Sequence, residues 1–230
     1  MKKSLDEHAA RFDELAGEYD EDKSDEYRAC ASLVVEHAAP EADDTESPES
    51  PRARTRSART DVVLDLATGT GAIALALAPD TTRVVGRDIS EGMLEEAKRK
   101  ADEEGLENLE FDYGTFREPN YDGPVDVVTS NFALHHLSDE EKREAIDVIA
   151  ALEPRRFVLG DVMFFGEPDP DEPFYSPEVD DPATVGTLAD ALTDAGFSLT
   201  AVERVHDQVG VLVAERPPTE LEDTGEPADR

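Results

Sequence analysis

The run Asp61-Val-Val-Leu-Asp-Leu-Ala-Thr-Gly-Thr-Gly71, followed by Ala72-Ile-Ala-Leu-Ala-Leu-Ala78, leaves this chain few ways to fold. Val62 to Leu66 is short, β-branched and apolar without alternation, which predicts a strand buried on both faces, as in parallel sheets. It carries one acid, Asp65, and breaks at Ala67-Thr68-Gly69-Thr70-Gly71. The alanine- and leucine-rich stretch after it is a good helix former. Strand, glycine turn and helix bring backbone close to a ligand and aim N–H groups at it, as a nucleotide-type cofactor requires.

The alternation continues downstream. Thr82–Asp88 reads as a second strand ending in an acid, and Ser90 caps a helix over 91–104 with Met93, Leu94 and Ala97 inward. Strands follow at 109–114 and 125–131, and Ser138-Asp-Glu-Glu141 has the form of a capping box opening a helix to about Leu152. A fifth strand at 156–163, a Pro- and Asp-rich loop at 166–182 and a helix at 183–195, stopped by Gly196, come next. Two last strands, 197–205 and 209–215, are joined by His206-Asp-Gln, short enough for a hairpin, so the last strand should run antiparallel. The expected fold is α/β: a Rossmann-like, doubly wound, seven-stranded sheet with its last strand antiparallel.

Two helices precede the first strand and form an expected N-terminal helical cap over 1–39. The first, 4–16, places Leu5, Ala9, Phe12 and Leu15/Ala16 on one face; the second starts at the N-cap Ser24 and runs to about His37. Residues 40–60 read as a flexible polar linker holding the arginine cluster Arg52–Arg59. Residues 61–216 form the cofactor-binding domain, and 217–230 read as a disordered tail.

Composition narrows the partners. Fifty-six acidic residues face 22 basic ones, a formal charge of −34, and only six of the basic residues are lysines. Such an acidic, lysine-poor surface points to a salt-loving organism, a halophilic archaeon, where ionic strength screens self-repulsion. With no surplus of cations to displace phosphate counterions, nucleic-acid binding is disfavoured. The lone Cys30 excludes an intrachain disulfide and a multi-cysteine metal site, and no metal is expected. No apolar run reaches the roughly 18 residues of a membrane span, and no signal peptide is visible, so the expected location is the cytoplasm.

Ligands of such sheets bind beyond the carboxyl ends of the strands, where the order reverses. Gly69 and Gly71 end the first strand, Asp88 the second, Gly114-Thr115-Phe116 the third and Asn131 the fourth. A glycine turn with an acid placed for ribose hydroxyls suits a dinucleotide or S-adenosylmethionine. The phosphate-binding Gly-x-Gly-x-x-Gly is absent, since Ala74 stands at its third position. Asp65 would repel a pyrophosphate and suits a cationic ligand.

With these pieces in order, the chain resembles the class I S-adenosylmethionine-dependent methyltransferases of the small-molecule branch. The resemblance rests on Val63–Gly71, Val85–Leu94, Asp126–Leu137 and Leu152–Asp161, with Arg11–Asp20 similar to that branch's cap. It implies S-adenosyl-L-methionine as cofactor. Asp65, Ala67, Gly69 and Gly71 would hold its methionine part and Asp88 its ribose. Ile89 and Met93 would pack near the adenine, Thr115 and Phe116 would border it, Asn131 would touch the methionyl end, and Tyr19 would close over it. Three positions depart from the pattern: Ala67 replaces the first glycine, Thr115 stands where an acid often reads the adenine, and Arg87 stands where an apolar residue is usual.

The implied reaction is an in-line methyl displacement on a small-molecule acceptor. It demands orientation and desolvation, plus a base where the acceptor holds its proton. His135 and His136, at the expected mouth, are the catalytic candidates. Tyr27, Arg28, Phe164, Phe165, Phe174 and Tyr175 are candidates for the acceptor pocket. Competing readings are a tRNA or protein methyltransferase using Arg52–Arg59, a non-catalytic S-adenosylmethionine-binding protein, and an NAD-dependent oxidoreductase. The expected assembly is a monomer or homodimer.

Overall fold

The computed structural model describes residues 5–21, 23–40, 61–167 and 173–216. The expected linker from residue 41 onward, with Arg52–Arg59, and the expected tail lie outside them. Helices α1 (Leu5–Leu15) and α2 (Asp25–Ala38) precede β1 (Val62–Leu66) and α3 (Ala72–Leu77). Then come β2 (Arg83–Asp88), α4 (Glu91–Glu104), β3 (Leu109–Tyr113), β4 (Val127–Asn131) and α5 (Asp139–Ala151). The chain continues through β5 (Arg156–Phe164), β6 (Ala183–Thr184), α6 (Val185–Asp194), β7 (Ser198–His206) and β8 (Val209–Glu215).

The sheet order is β3-β2-β1-β4-β5-β8-β7. Strands β1 to β5 run parallel, and β8 is antiparallel to both of its neighbours. The closing hairpin thus forms as expected. The eighth strand, β6, is a two-residue pairing with the end of β5, where a helix from 183 was expected. Thr184 is extended there because its hydroxyl caps α6, accepting from Thr187 N. The order reverses between β1 and β4, which opens a crevice at their carboxyl ends.

Alternation along each strand builds two cores. Leu64, Leu66, Val128, Phe157 and Leu212 face α5 and α6, while Val63, Val84, Val127, Val158 and Val211 face α2, α3 and α4. Helix α2 is part of this core more than a detachable cap. Cys30 and Val34 are fully buried, and Gly160 of β5 makes room for them: a Cβ there would sit 2.6 Å from Val34 and 2.7 Å from Cys30 Sγ.

Helix α1 lies differently from the expected apolar face. Leu5 and Leu15 are 44% and 42% exposed, whereas His8 and Ala16 are buried. The reason is its docking. Asp13 Oδ1 accepts from Ser90 Oγ at 2.6 Å and Gly92 N at 3.0 Å at the start of α4, turning the His8–Phe12–Ala16 side inward. Among the described residues no helix is long and apolar enough to cross a membrane.

Candidate active site

The turn after β1 is held by charge and by strain. Asp65 is buried, its oxygens accepting from Thr68 Oγ1 at 2.6 Å and Thr129 Oγ1 at 2.7 Å. Burial pushes its carboxyl up to about 6, with the two hydroxyls pulling the other way, so it is an anion at neutral pH. Ala67 adopts φ 56° and Phe132, just after β4, φ 55°. A left-handed side-chain-bearing residue costs about 1–2 kcal/mol, and these two stand on either side of the crevice. Gly69, at φ 55°, carries no such cost, and its N–H donates to Asp88 Oδ2 at 2.8 Å. Asp88 Oδ1 accepts from Ser90 N at 2.9 Å. Burial raises its pKa, opposed by these backbone donors.

Together these elements enclose a cavity of about 250 Å³. Of the expected cofactor residues, Tyr19, Asp65, Ala67, Gly69, Asp88, Ile89, Met93, Thr115, Phe116 and Asn131 line it. Gly71 does not. Its open side faces Ala97 Cβ, 3.1 Å from where a Cβ would lie, so it lets α4 pack closely. Arg87 is buried against Pro119 O and pairs with Glu110 Oε1 at 2.6 Å, away from the cavity. Tyr19 closes the wall; burial, then Asp88 and Asp20, push its phenol up to about 12, which keeps it a neutral donor. Asn131 is buried, and among the described residues no partner meets hydrogen-bond geometry at Oδ1 or Nδ2, the Tyr27 phenol being its interacting neighbour. A buried amide in that state has fewer partners than such groups ordinarily have.

The two histidines have different surroundings. His135 is anchored to β5: its N–H donates to Asp161 Oδ2 at 2.9 Å, and its Nδ1 lies 2.5 Å from Asp161 Oδ1. Burial disfavours its charged form, yet the Asp161 charge prevails and holds its pKa above the ordinary value. His136 lines the cavity, with Nδ1 2.7 Å from Asp180 Oδ1. Here burial prevails over Asp180, and the pKa falls below the ordinary histidine value. His136 is thus neutral at pH 7. With Nδ1–H given to Asp180, its lone pair stands on Nε2. The loop carrying Asp180 is locked by Asp181 N to His135 O at 2.7 Å and by buried Lys142 Nζ to Asp181 O at 2.5 Å.

A second, more open chamber of about 490 Å³ adjoins the first. The two share Phe12, Tyr19, Tyr27, Phe132 and His136. Of the expected acceptor residues, Tyr27, Phe174 and Tyr175 line the outer chamber. Phe164 packs on Tyr175 at 5.6 Å between centroids, and Phe165 fills the space left open by Gly210; neither they nor Arg28 line it. The sequence reading missed His8, Asp161 and Asp180. Asp161 is an acid inside the largely apolar strand β5, as Asp65 is in β1, and that is a signal for it; Asp180 sits in an aperiodic loop that carries none.

Residues 63–154 match the family model described as "Methyltransferase domain". This segment is similar to that family. The uncharacterized methyltransferase YcgJ of Bacillus subtilis is 38% identical over 102 residues, covering 43% of this chain and 40% of that protein. The matches span less than half the length of the curated relatives first in similarity. Among solved structures, magnesium protoporphyrin IX methyltransferase from Synechocystis PCC 6803, with bound SAM, shares the fold at TM-score 0.58 and 22% identity, over 83% of this chain and 79% of that one. A putative methyltransferase in complex with the Haloferax volcanii Trm112 activator superimposes at TM-score 0.67 and 18% identity, over 93% and 96%. The matched segment contains β1 to β4 and α5, hence the acid-and-asparagine walls of the cavity.

Proposed function

We propose that the chain transfers the methyl group of S-adenosylmethionine to a small-molecule acceptor. One observation carries the cofactor assignment: a single cavity has Asp88 at the end of β2 and the buried Asn131 amide, beside the Tyr27 phenol, at the end of β4. Asp88 already accepts two backbone N–H groups. Its remaining lone pairs suit two ribose hydroxyls. Asn131 offers one donor and one acceptor to an amino-acid tail. Asp65 supplies negative charge for the ammonium group; its oxygens already hold two threonines, so it acts through its field. Thr115 Oγ1 accepts from Glu118 N, which leaves its O–H free to donate to the adenine edge beside Phe116.

The cofactor supplies an activated methyl on a sulfonium. The protein holds the two reactants in line and excludes water with the Tyr19–Phe12–Phe132 wall. His136 takes the acceptor's proton on Nε2, and Asp180 stabilises the imidazolium that results. His135 acts through position: Asp161 fixes it and, with it, the turn that presents His136. Magnesium protoporphyrin IX, the compound named for the Synechocystis enzyme, is a small molecule, which supports a small-molecule acceptor. The composition, −34 with six lysines, supports a salt-adapted source.

Calorimetry in molar potassium chloride tests the reading. S-adenosylhomocysteine is expected to bind and NAD not to bind; the reverse would replace the methyltransferase by an oxidoreductase. The same samples are expected to unfold at lower temperature as salt is removed, because screening of the self-repulsion is lost. A midpoint independent of salt removes the halophilic assignment.

A further inference from the structure

The outer chamber is charged against the trend of the chain. Its lining includes Arg11 and Lys23, in a protein of net charge −34. Among the described residues neither cation has an ion-pair partner. The carboxylates nearby are committed elsewhere. Asp20 accepts from Thr70 Oγ1 at 2.8 Å and pairs with Lys100. Asp180, also in the lining, binds His136 and accepts from Ser176 N at 2.8 Å.

Both cations instead lie against rings. Lys23 Nζ is 2.9 Å from the centroid of Tyr19 and 4.3 Å from that of Tyr27, and Arg11 Cζ is 5.8 Å from that of Phe12. An aromatic face attracts a cation but leaves its outward donors unused. Burial lowers the Lys23 pKa to about 8, despite the pull of Asp20, so the ammonium is still charged at neutral pH. Phe132, Phe174 and Tyr175 line the same chamber and supply it with apolar surface. His136 lies where this chamber meets the inner one.

The geometry points to an acceptor with a flat apolar body and an anionic group, a carboxylate or an equivalent oxyanion. The body packs on Phe132, Phe174 and Tyr175 while Arg11 and Lys23 bind the anion. This rests on the methyltransferase reading for its chemistry. The binding preference itself can be measured without turnover.

The probes are 1-naphthoate and its neutral amide, 1-naphthamide, titrated calorimetrically into the full chain with and without S-adenosylhomocysteine, at one salt concentration. The naphthoate is expected to bind at least about tenfold tighter, the scale of one charge-assisted contact. An Arg11→Met/Lys23→Met variant, which keeps the aliphatic length, is expected to lose that preference while still binding the amide. If the double variant does not fold, each single variant is expected to lose about threefold of the preference, roughly half of its free energy. Equal affinities in the wild type, no binding of naphthoate, or a preference that survives both substitutions would overturn the assignment. Failure of S-adenosylhomocysteine to bind, with the naphthoate preference intact, would count against the methyltransferase reading and leave the anion site standing.

Discussion

Replacing His136 by alanine is expected to lower kcat by about 10²–10⁴-fold, the range for loss of a positioned general base. Affinity for S-adenosylhomocysteine should change little, because Asp88 and Asn131, not His136, carry that contact. The pH profile gives the sign. A base must be unprotonated to work, and burial holds the His136 pKa below the usual histidine value despite Asp180. In the wild type, kcat/KM should therefore fall only below about pH 6.5, the ordinary histidine pKa, and the histidine-controlled acid limb should vanish in His136→Ala. Asp180→Asn should act in the same direction, since its amide oxygen can still accept Nδ1–H but the lost charge no longer stabilises the imidazolium. An alanine variant within about threefold of wild type, with the acid limb intact, would remove His136 as the base and leave the reaction to proximity alone.

Asp88→Ala is expected to weaken S-adenosylhomocysteine binding by about ten- to a hundredfold, from roughly 1.5–3 kcal/mol for hydrogen bonds to a charged group. The side chain also anchors Gly69 N and Ser90 N, so the variant should lose stability as well. Asp88→Asn separates the two effects: its amide oxygen can still accept one backbone N–H, while the charge is gone. If both variants bind as tightly as wild type, the ribose does not sit at the end of β2.

Local signals survived folding well. Ser24 and Ser138 cap their helices through the hydroxyls the sequence placed there, and Ser138 with Glu141 forms the full capping box. The unbroken apolar run of β1 is buried at every position, and the His206-Asp-Gln connection makes the hairpin that sets the edge of the sheet. Ten of the expected cavity residues meet on one wall because parallel strands deliver their carboxyl ends to one side.

What stayed hidden depends on contacts between distant segments. Spacing on α1 favoured Leu5 and Leu15 as core, but an aspartate–serine contact across 77 positions rotated the helix and buried His8. Two adjacent histidines look alike in sequence, and only Asp161 and Asp180, 26 and 44 residues away, give them different surroundings. The close packing at Gly71 is hidden for the same reason: its neighbour is Ala97 on another helix, and no local pattern reports that.

The shared wall between the two chambers has a consequence for kinship. The family match begins at residue 63 and ends at 154. Tyr19, Lys23 and Tyr27 precede it, and Phe174, Tyr175 and Asp180 follow it, yet these six shape the outer chamber. Much of the outer chamber's lining is thus written outside the matched segment, while Phe132 and His136 inside it serve both chambers, so the outer wall can drift further than the inner one. Two proteins alike across the shared segment need not methylate the same compound, and resemblance outside it is the better guide to substrate.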